Sequence, residues 1–195
     1  KENLIHHKRV NVDVYKGDKK VEDSEVIEEG MTLKVSYKEV SKEFNISLVK
    51  VYKEYAATGM TAEAGSFQPN NNTEGNGNLA LDNNLNTMWH TNWNGCQRSE
   101  TWITIDMKKE QNVAMLKYTP RQGGGTNGNI TAYEIYVSKD GQTWGEPVAT
   151  GTWANNNVVK YARFDTVLGR YVKLVATDSA SQEASKIFAS AAEIR

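Results

Sequence analysis

The chain has 195 residues, enough for one medium domain or for a domain with a smaller companion. Its 23 Lys and Arg residues nearly balance its 24 Asp and Glu residues, for a formal net charge of -1. This balance excludes the strongly basic composition that binds nucleic acid or anionic membranes through bulk electrostatics. No apolar run approaches the roughly 20 residues that a membrane-spanning helix needs, so membrane insertion is not expected either.

Composition changes near residue 58 and predicts two folding units. The first part has no Trp and only Gly17 and Gly30, whereas all five Trp and every other Gly follow. Three short strands are predicted in this part, at 9–15, 31–37 and 44–52, from approximate alternation of apolar and polar residues. So few strands bury a marginal core. Residues 1–57 are therefore interpreted as a small β-rich linker module, a partial β-sandwich.

Residues 58–195 read as many short strands separated by loops rich in Gly and Asn. The clearest strands are predicted at 102–106, 113–118, 131–138, 158–164 and 170–176. In the third of these, Tyr133, Ile135 and Val137 share one face, which is the period of two expected when one sheet face is buried. Several such strands in succession predict a sandwich of two antiparallel sheets.

The stretch 78–93 concentrates the residues that carry chemistry. Asp82, Asn84 and Thr87 place oxygen-bearing side chains close together, at a spacing that lets a looped backbone direct carbonyls and a carboxylate at a hard cation such as Ca²⁺. Two Trp and His90 follow within the same stretch. We interpret the stretch as a calcium-stabilised rim that presents His90 to a carbohydrate.

A known family is matched by six sequence blocks in order. They are LDNNLNTMWHT (81–91), WITIDM (102–107), YTPRQ (118–122), YEIYVSKDG (133–141), GRYVKL (169–174) and AAEI (191–194). Together they closely resemble family 32 carbohydrate-binding modules, which belong to the discoidin, or coagulation factor V/VIII type C, group. The resemblance covers essentially all of residues 60–195. It implies an all-β, jelly-roll-like β-sandwich of the galactose-binding-domain type, with a structural calcium ion and a shallow sugar site among loops at one end.

The resemblance also implies which residues bind the sugar: His90, Arg121, Asn127 and Phe188. Asn129 is an alternative to Asn127, because the glycine run at 123–125 blurs the alignment. Trp93 and Trp153 are alternative platforms for stacking on a sugar ring. The chemistry of these side chains suits a pyranose, since Arg offers a planar fork to adjacent hydroxyls, neutral His both donates and accepts, and an aromatic face covers C–H groups.

For the calcium ion that the resemblance implies, the expected side-chain ligands are Asp82, Thr87 and Glu193. The backbone carbonyls near Leu79, Asn84 and Ala192 would complete an oxygen shell. The alternative is an Asx-rich turn capped by its own side chains. That alternative accounts for Asp82 and Asn84 but leaves Glu193 without a role.

The predicted function is non-catalytic. The larger unit has one His, so an active-site triad lacks parts, and no carboxylate pair stands out by spacing. By the resemblance, the chain would target a larger secreted or cell-surface bacterial protein, such as a glycoside hydrolase, to galactose-configured glycans on mucin or host cells. We expect a monomer within a multimodular chain. Alternatives are a preference for GlcNAc-type glycans, or a discoidin-type domain that binds protein or phospholipid.

Overall fold

The computed structural model describes residues 10–22, 25–47, 52–69, 72–181, 183 and 185–195. Contacts divide the chain into two compact units, Lys1–Val51 and Tyr52–Arg195. This division lies a few residues before the boundary that composition predicts. In the described part, strands dominate and the helices are two short 3-10 turns, neither of them long or apolar enough to cross a membrane. The predicted all-β class is confirmed.

The N-terminal unit is one antiparallel sheet with the strand order β2-β1-β3-β4. Its strands are β1 (Asn11–Lys16), β2 (Lys19–Lys20), β3 (Thr32–Tyr37) and β4 (Val40–Asn45). Val14, Val21 and Met31 form its small core. The strand predicted at 44–52 overlaps only the end of β4, because a tight turn with Lys38 at a φ of 54° starts that strand earlier. Residues 9 and 48–51 of the predicted strands lie outside the described residues.

The C-terminal unit contains two sheets. The larger has the order β10-β9-β11-β8-β13 with β5 also pairing with β8, and the smaller has the order β12-β7-β6. Its strands are β5 (Thr61–Ala64), β6 (Glu74–Gly75), β7 (Met88–His90), β8 (Trp102–Thr119), β9 (Ile130–Ser138), β10 (Ala149–Thr152), β11 (Lys160–Ser179), β12 (Ser190–Ala191) and β13 (Glu193–Ile194).

Two strands are longer than the sequence predicts. The strands predicted at 102–106 and 113–118 are parts of β8. The strand predicted at 170–176 is part of β11, and the one predicted at 158–164 overlaps the start of β11 from residue 160. The polar interruptions between them are register shifts in the β8–β11 pairing, not loops. Lys108 absorbs part of this irregularity with a φ of 67°. Hydrophobic alternation fails at such shifts, so the sequence reads as a break where the backbone stays extended.

The core lies between the two sheets and confirms the predicted sandwich. Trp89 of the smaller sheet is fully buried with Ile103 of β8 and Leu174 of β11. Trp153 stacks on Tyr133 with ring centroids 3.9 Å apart and also packs against Tyr118. The Trp153 ring is therefore packed against the core, and its role as an alternative sugar platform stays a prediction.

Tyr118 ties the sheets together through its hydroxyl. The buried Oη donates to the Ser190 carbonyl at 2.9 Å and accepts from the Ile130 amide at 3.1 Å. We expect Tyr118→Phe to lower the free energy of unfolding by about 1–3 kcal/mol, because both backbone groups lose a buried partner. Urea denaturation measures the loss. The control is Tyr136→Phe, whose hydroxyl donates to Glu134 nearer the surface; equal effects of the two changes would contradict the role given to Tyr118.

Candidate functional site

His90 ends β7 and is almost fully buried, with 1% of its surface exposed. Its Nδ1 lies 2.7 Å from the Thr91 carbonyl oxygen, which can only accept, so Nδ1 carries the proton in the neutral ring. The other nitrogen, Nε2, is buried and has no hydrogen-bond partner in the protein. Burial lowers the pKa of His90, and this effect outweighs that of the nearby Glu74 charge, which raises the pKa. The residue therefore presents a buried acceptor.

Arg121 follows the end of β8 and is held by a carboxylate that the sequence did not reveal. Its Nη2 donates to Glu74 Oε1 at 3.2 Å, and its Nη1 donates to the Asn127 carbonyl at 3.2 Å. The two side chains are 18% and 15% exposed, so this ion pair is largely withdrawn from water. Arg121 Nε is buried and unpaired. The guanidinium is thus fixed in place, and its Nε–H is a buried donor without a partner in the protein.

Glu74 also fixes the orientation of Trp93. Its Oε2 accepts from the indole Nε1 at 2.9 Å, while Gln68 Oε1 accepts from the Trp93 backbone amide at 2.9 Å. The indole is 44% exposed, which leaves ring surface open to a ligand. Glu74 lies on the two-residue strand β6, and the sequence around it resembles a polar turn. The signal that could have found it is physical: a buried Arg requires a counter-charge.

The other predicted sugar contacts are placed differently. Phe188 is only 3% exposed and its ring lies 5.5 Å from the His90 ring, so it supports the imidazole and offers little open face. Asn127 uses its backbone carbonyl to position Arg121. Asn129 is buried, and its amide nitrogen donates to Asn157 Oδ1 at 3.0 Å. The structure therefore brings together His90, Arg121 and Trp93, with Asn127 and Phe188 as their supports.

The predicted calcium residues meet where the loop after the 3-10 turn Gly77–Ala80 approaches β13. The Asn84 amide is close to carboxylates from both segments, at 2.9 Å from Asp82 Oδ1 and 3.0 Å from Glu193 Oε1. Thr87 Oγ1 lies 2.6 Å from Asp82 Oδ2 and 2.8 Å from the Asn84 carbonyl. Three side chains predicted as ligands thus converge, although Glu193 is far from Asp82 and Thr87 in the sequence.

Two carboxylates at one place require positive charge or protonation. Burial raises the pKa of Glu193, and the neighbouring Asp82 raises it further. Arg195 lies within ion-pair distance of Glu193 Oε2 and opposes this rise, but that oxygen is buried and receives no hydrogen bond. An oxygen in this position is suited to coordinate a metal cation. Within the described residues no group of three or more His, Cys, Asp or Glu side chains could hold a metal, so a calcium shell here would depend on carbonyl and hydroxyl oxygens.

A comparison with known protein families identifies the family of this chain. The model of the F5/8 type C domain matches residues 61–194. The chain belongs to the F5/8 type C domain family. Among solved structures, this chain is similar to family 32 carbohydrate-binding modules. One of them, a family 32 module of a Clostridium perfringens family 89 enzyme solved with GalNAc-β-1,3-galactose, is 33% identical to this chain. That match has a TM-score of 0.63 and covers 71% of this chain and 95% of the other. The predicted resemblance is confirmed.

Further relatives of this F5/8 type C domain include sugar-active proteins. The family 32 module of Clostridium perfringens NanJ, solved with galactose, is 33% identical with a TM-score of 0.59, over 71% of this chain and 93% of the other. Galactose oxidase of Gibberella zeae is 46% identical over 106 residues, which are 53% of this chain and 16% of that enzyme. The chain therefore spans under a fifth of this curated relative. Family 32 modules are non-catalytic accessory modules of glycoside hydrolases.

Proposed function

We propose that the C-terminal unit of this chain binds galactose-configured glycans through His90, Arg121 and Trp93, and that it serves as a targeting module of a larger enzyme. The observation that carries the proposal is the pair of buried, unpaired atoms His90 Nε2 and Arg121 Nε. Buried polar atoms are normally paired, so two such atoms near one exposed indole mark a place where a ligand completes the bonding.

The chemistry of a galactose-type ring suits these groups. Its hydroxyls can donate to His90 Nε2 and accept from Arg121 Nε, and its C–H patch can cover the Trp93 face. Few atoms are desolvated in so small a site, and we expect monovalent binding on the order of 0.1–1 mM. Retention on mucin or a cell surface would then depend on avidity from neighbouring modules. This role implies a secreted or cell-surface bacterial protein, with the module as a monomer.

Calcium is the second part of the proposal. Asp82, Thr87 and Glu193 would hold the ion with carbonyls near Leu79, Asn84 and Ala192, and the ion would neutralise the two carboxylates and tie β13 to the loop that precedes β7. The convergence of both carboxylates on the Asn84 amide and the hydrogen-bond-free Glu193 Oε2 support this part.

A glycan array followed by calorimetric titration tests the sugar site. We expect binding to galactose, GalNAc or N-acetyllactosamine termini, and about tenfold weaker binding by Trp93→Ala, because the variant loses the stacking surface. Trp93 is exposed, so the variant should fold normally. The matched control is Tyr161→Ala, which removes an aromatic ring of similar exposure from the outside of β11.

Other outcomes of the array would redirect the proposal. Preference for GlcNAc termini would keep the site and change the sugar. Equal binding by the wild type and Trp93→Ala would remove the indole from the site. If the protein binds no glycan on the array and co-sediments with phosphatidylserine vesicles, it is instead a discoidin-type domain that binds phospholipid.

A further inference from the structure

The two unpaired atoms of the candidate site have opposite hydrogen-bonding roles. Arg121 Nε carries a proton and can only donate. His90 Nε2 can only accept, since the ring proton is on Nδ1 against the Thr91 carbonyl. A ligand group that satisfies both atoms must donate one hydrogen bond and accept another. A hydroxyl does so alone, whereas a carboxylate at neutral pH can only accept.

The positive charge of the site is already committed. Arg121 Nη2 is paired with Glu74 Oε1, and both side chains are mostly withdrawn from solvent. The second oxygen of Glu74 accepts from Trp93 Nε1, so the carboxylate reaches the edge of the exposed indole. An anionic sugar would meet a guanidinium whose charge is offset and a carboxylate that repels it. The repulsion is stronger here than in water because the effective dielectric is lower at a half-buried site.

We infer that Glu74 makes this site selective for uncharged sugars, so that rings carrying a carboxylate are rejected even where their shape fits. The inference rests on the proposed function, because it assumes that the site between His90, Arg121 and Trp93 holds a sugar. It assigns to Glu74 a role in specificity beyond positioning Arg121 and Trp93. Chemically, the site would accept unmodified galactose-type termini and reject uronic acids.

The test uses two ligands of nearly the same shape and different charge. Methyl galacturonamide and methyl galacturonate differ at C6 by an amide and a carboxylate, and methyl galactoside serves as the reference. For the full chain we expect galacturonamide to bind within about threefold of the galactoside and galacturonate to bind about tenfold more weakly than the amide, a difference of about 1.4 kcal/mol. Glu74→Gln should reduce the acid-to-amide difference to about threefold or less, because the repelling charge is gone and the charge of Arg121 is no longer offset. Because this variant breaks the Arg121 pair, its folding is checked by circular dichroism and by its binding of methyl galactoside.

The control variant is Glu63→Gln, an exposed acid on β5 whose replacement changes the net charge equally. It should keep the full discrimination of the wild type. The inference is overturned if the wild type binds the acid and the amide equally well. This includes the case in which both bind more weakly than methyl galactoside, because the shape of the C6 substituent and not its charge would then cause the weaker binding. Unchanged discrimination in Glu74→Gln also overturns it. If methyl galactoside itself does not bind, the proposed function fails first and the inference falls with it, which is a distinguishable result.

Discussion

Replacing Arg121 by lysine is expected to weaken galactose binding at least about tenfold, because a charged hydrogen bond is worth about 1.5–3 kcal/mol and lysine lacks the guanidinium fork. Lysine retains the positive charge beside Glu74, so the ion pair that now joins Arg121 Nη2 to Glu74 can be kept. We therefore expect a thermal midpoint close to that of the wild type. Isothermal titration with methyl galactoside and differential scanning calorimetry measure the two quantities separately.

Alanine at this position would be a poorer test. It leaves Glu74 as an uncompensated, mostly buried charge, and breaking a buried pair costs about 3–5 kcal/mol, so lost binding could reflect lost folding. The matched control is Arg163→Lys on β11, where the guanidinium packs against Tyr161. It should leave binding unchanged. Full affinity in Arg121→Lys would exclude the Arg121 fork from sugar recognition.

Removal of calcium is expected to lower the melting temperature of the C-terminal unit by several degrees. An ion present at about 100 times its dissociation constant stabilises the folded state by about 2.7 kcal/mol, and for a unit of this size each kcal/mol shifts the midpoint by roughly 2–4 °C. The physical reason is that Asp82 and Glu193 approach the same amide and repel each other, and the pKa of Glu193 stays raised although Arg195 lies beside it. Scanning calorimetry in EDTA, and then with calcium restored, measures the shift.

Two Asp variants make the chelation experiment specific. Asp82→Asn should abolish the response to EDTA, because it removes one of the two carboxylates. Asp140 accepts backbone and hydroxyl hydrogen bonds in a similar turn with Thr143, far along the chain from these carboxylates. Asp140→Asn should therefore lower the midpoint equally with and without calcium. If the wild type melts at the same temperature in EDTA, the calcium assignment is wrong.

Much of the fold follows from local pattern, and its failures occur where pairing overrides pattern. Alternation along β9 correctly places Ile135 in the core. It cannot show that β8 and β11 continue through their register shifts, because an extended backbone there is stabilised by the neighbouring strand and not by local sequence. Trp153 illustrates the same limit: its sequence neighbours are polar, yet Tyr118 and Tyr133 from other strands cover it.

Part of the candidate site could be predicted from the sequence. His90 and Arg121 lie within motifs of the resemblance. The structure adds Glu74, which pairs with Arg121, and the charges of Glu74 and Arg121 both affect the pKa of His90. Glu74 escaped prediction because its partner is distant in sequence and only the fold brings β6 beside the residue that follows β8. Phe188 shows the opposite case, since a motif match cannot tell whether a ring faces a ligand or the protein.

The pairing of β12 with β7 has a consequence for biosynthesis. Ser190 pairs with His90 although β8 to β11 all lie between them in the chain, and β7 would otherwise have only the two-residue β6 beside it. During translation the strand that carries the imidazole therefore lacks this neighbour until Ser190 has left the ribosome. A nascent or truncated chain that ends before Ser190 would have most of the larger sheet but would lack the β12 neighbour of His90, so the sugar binding proposed for His90 would begin only after Ser190 has been added.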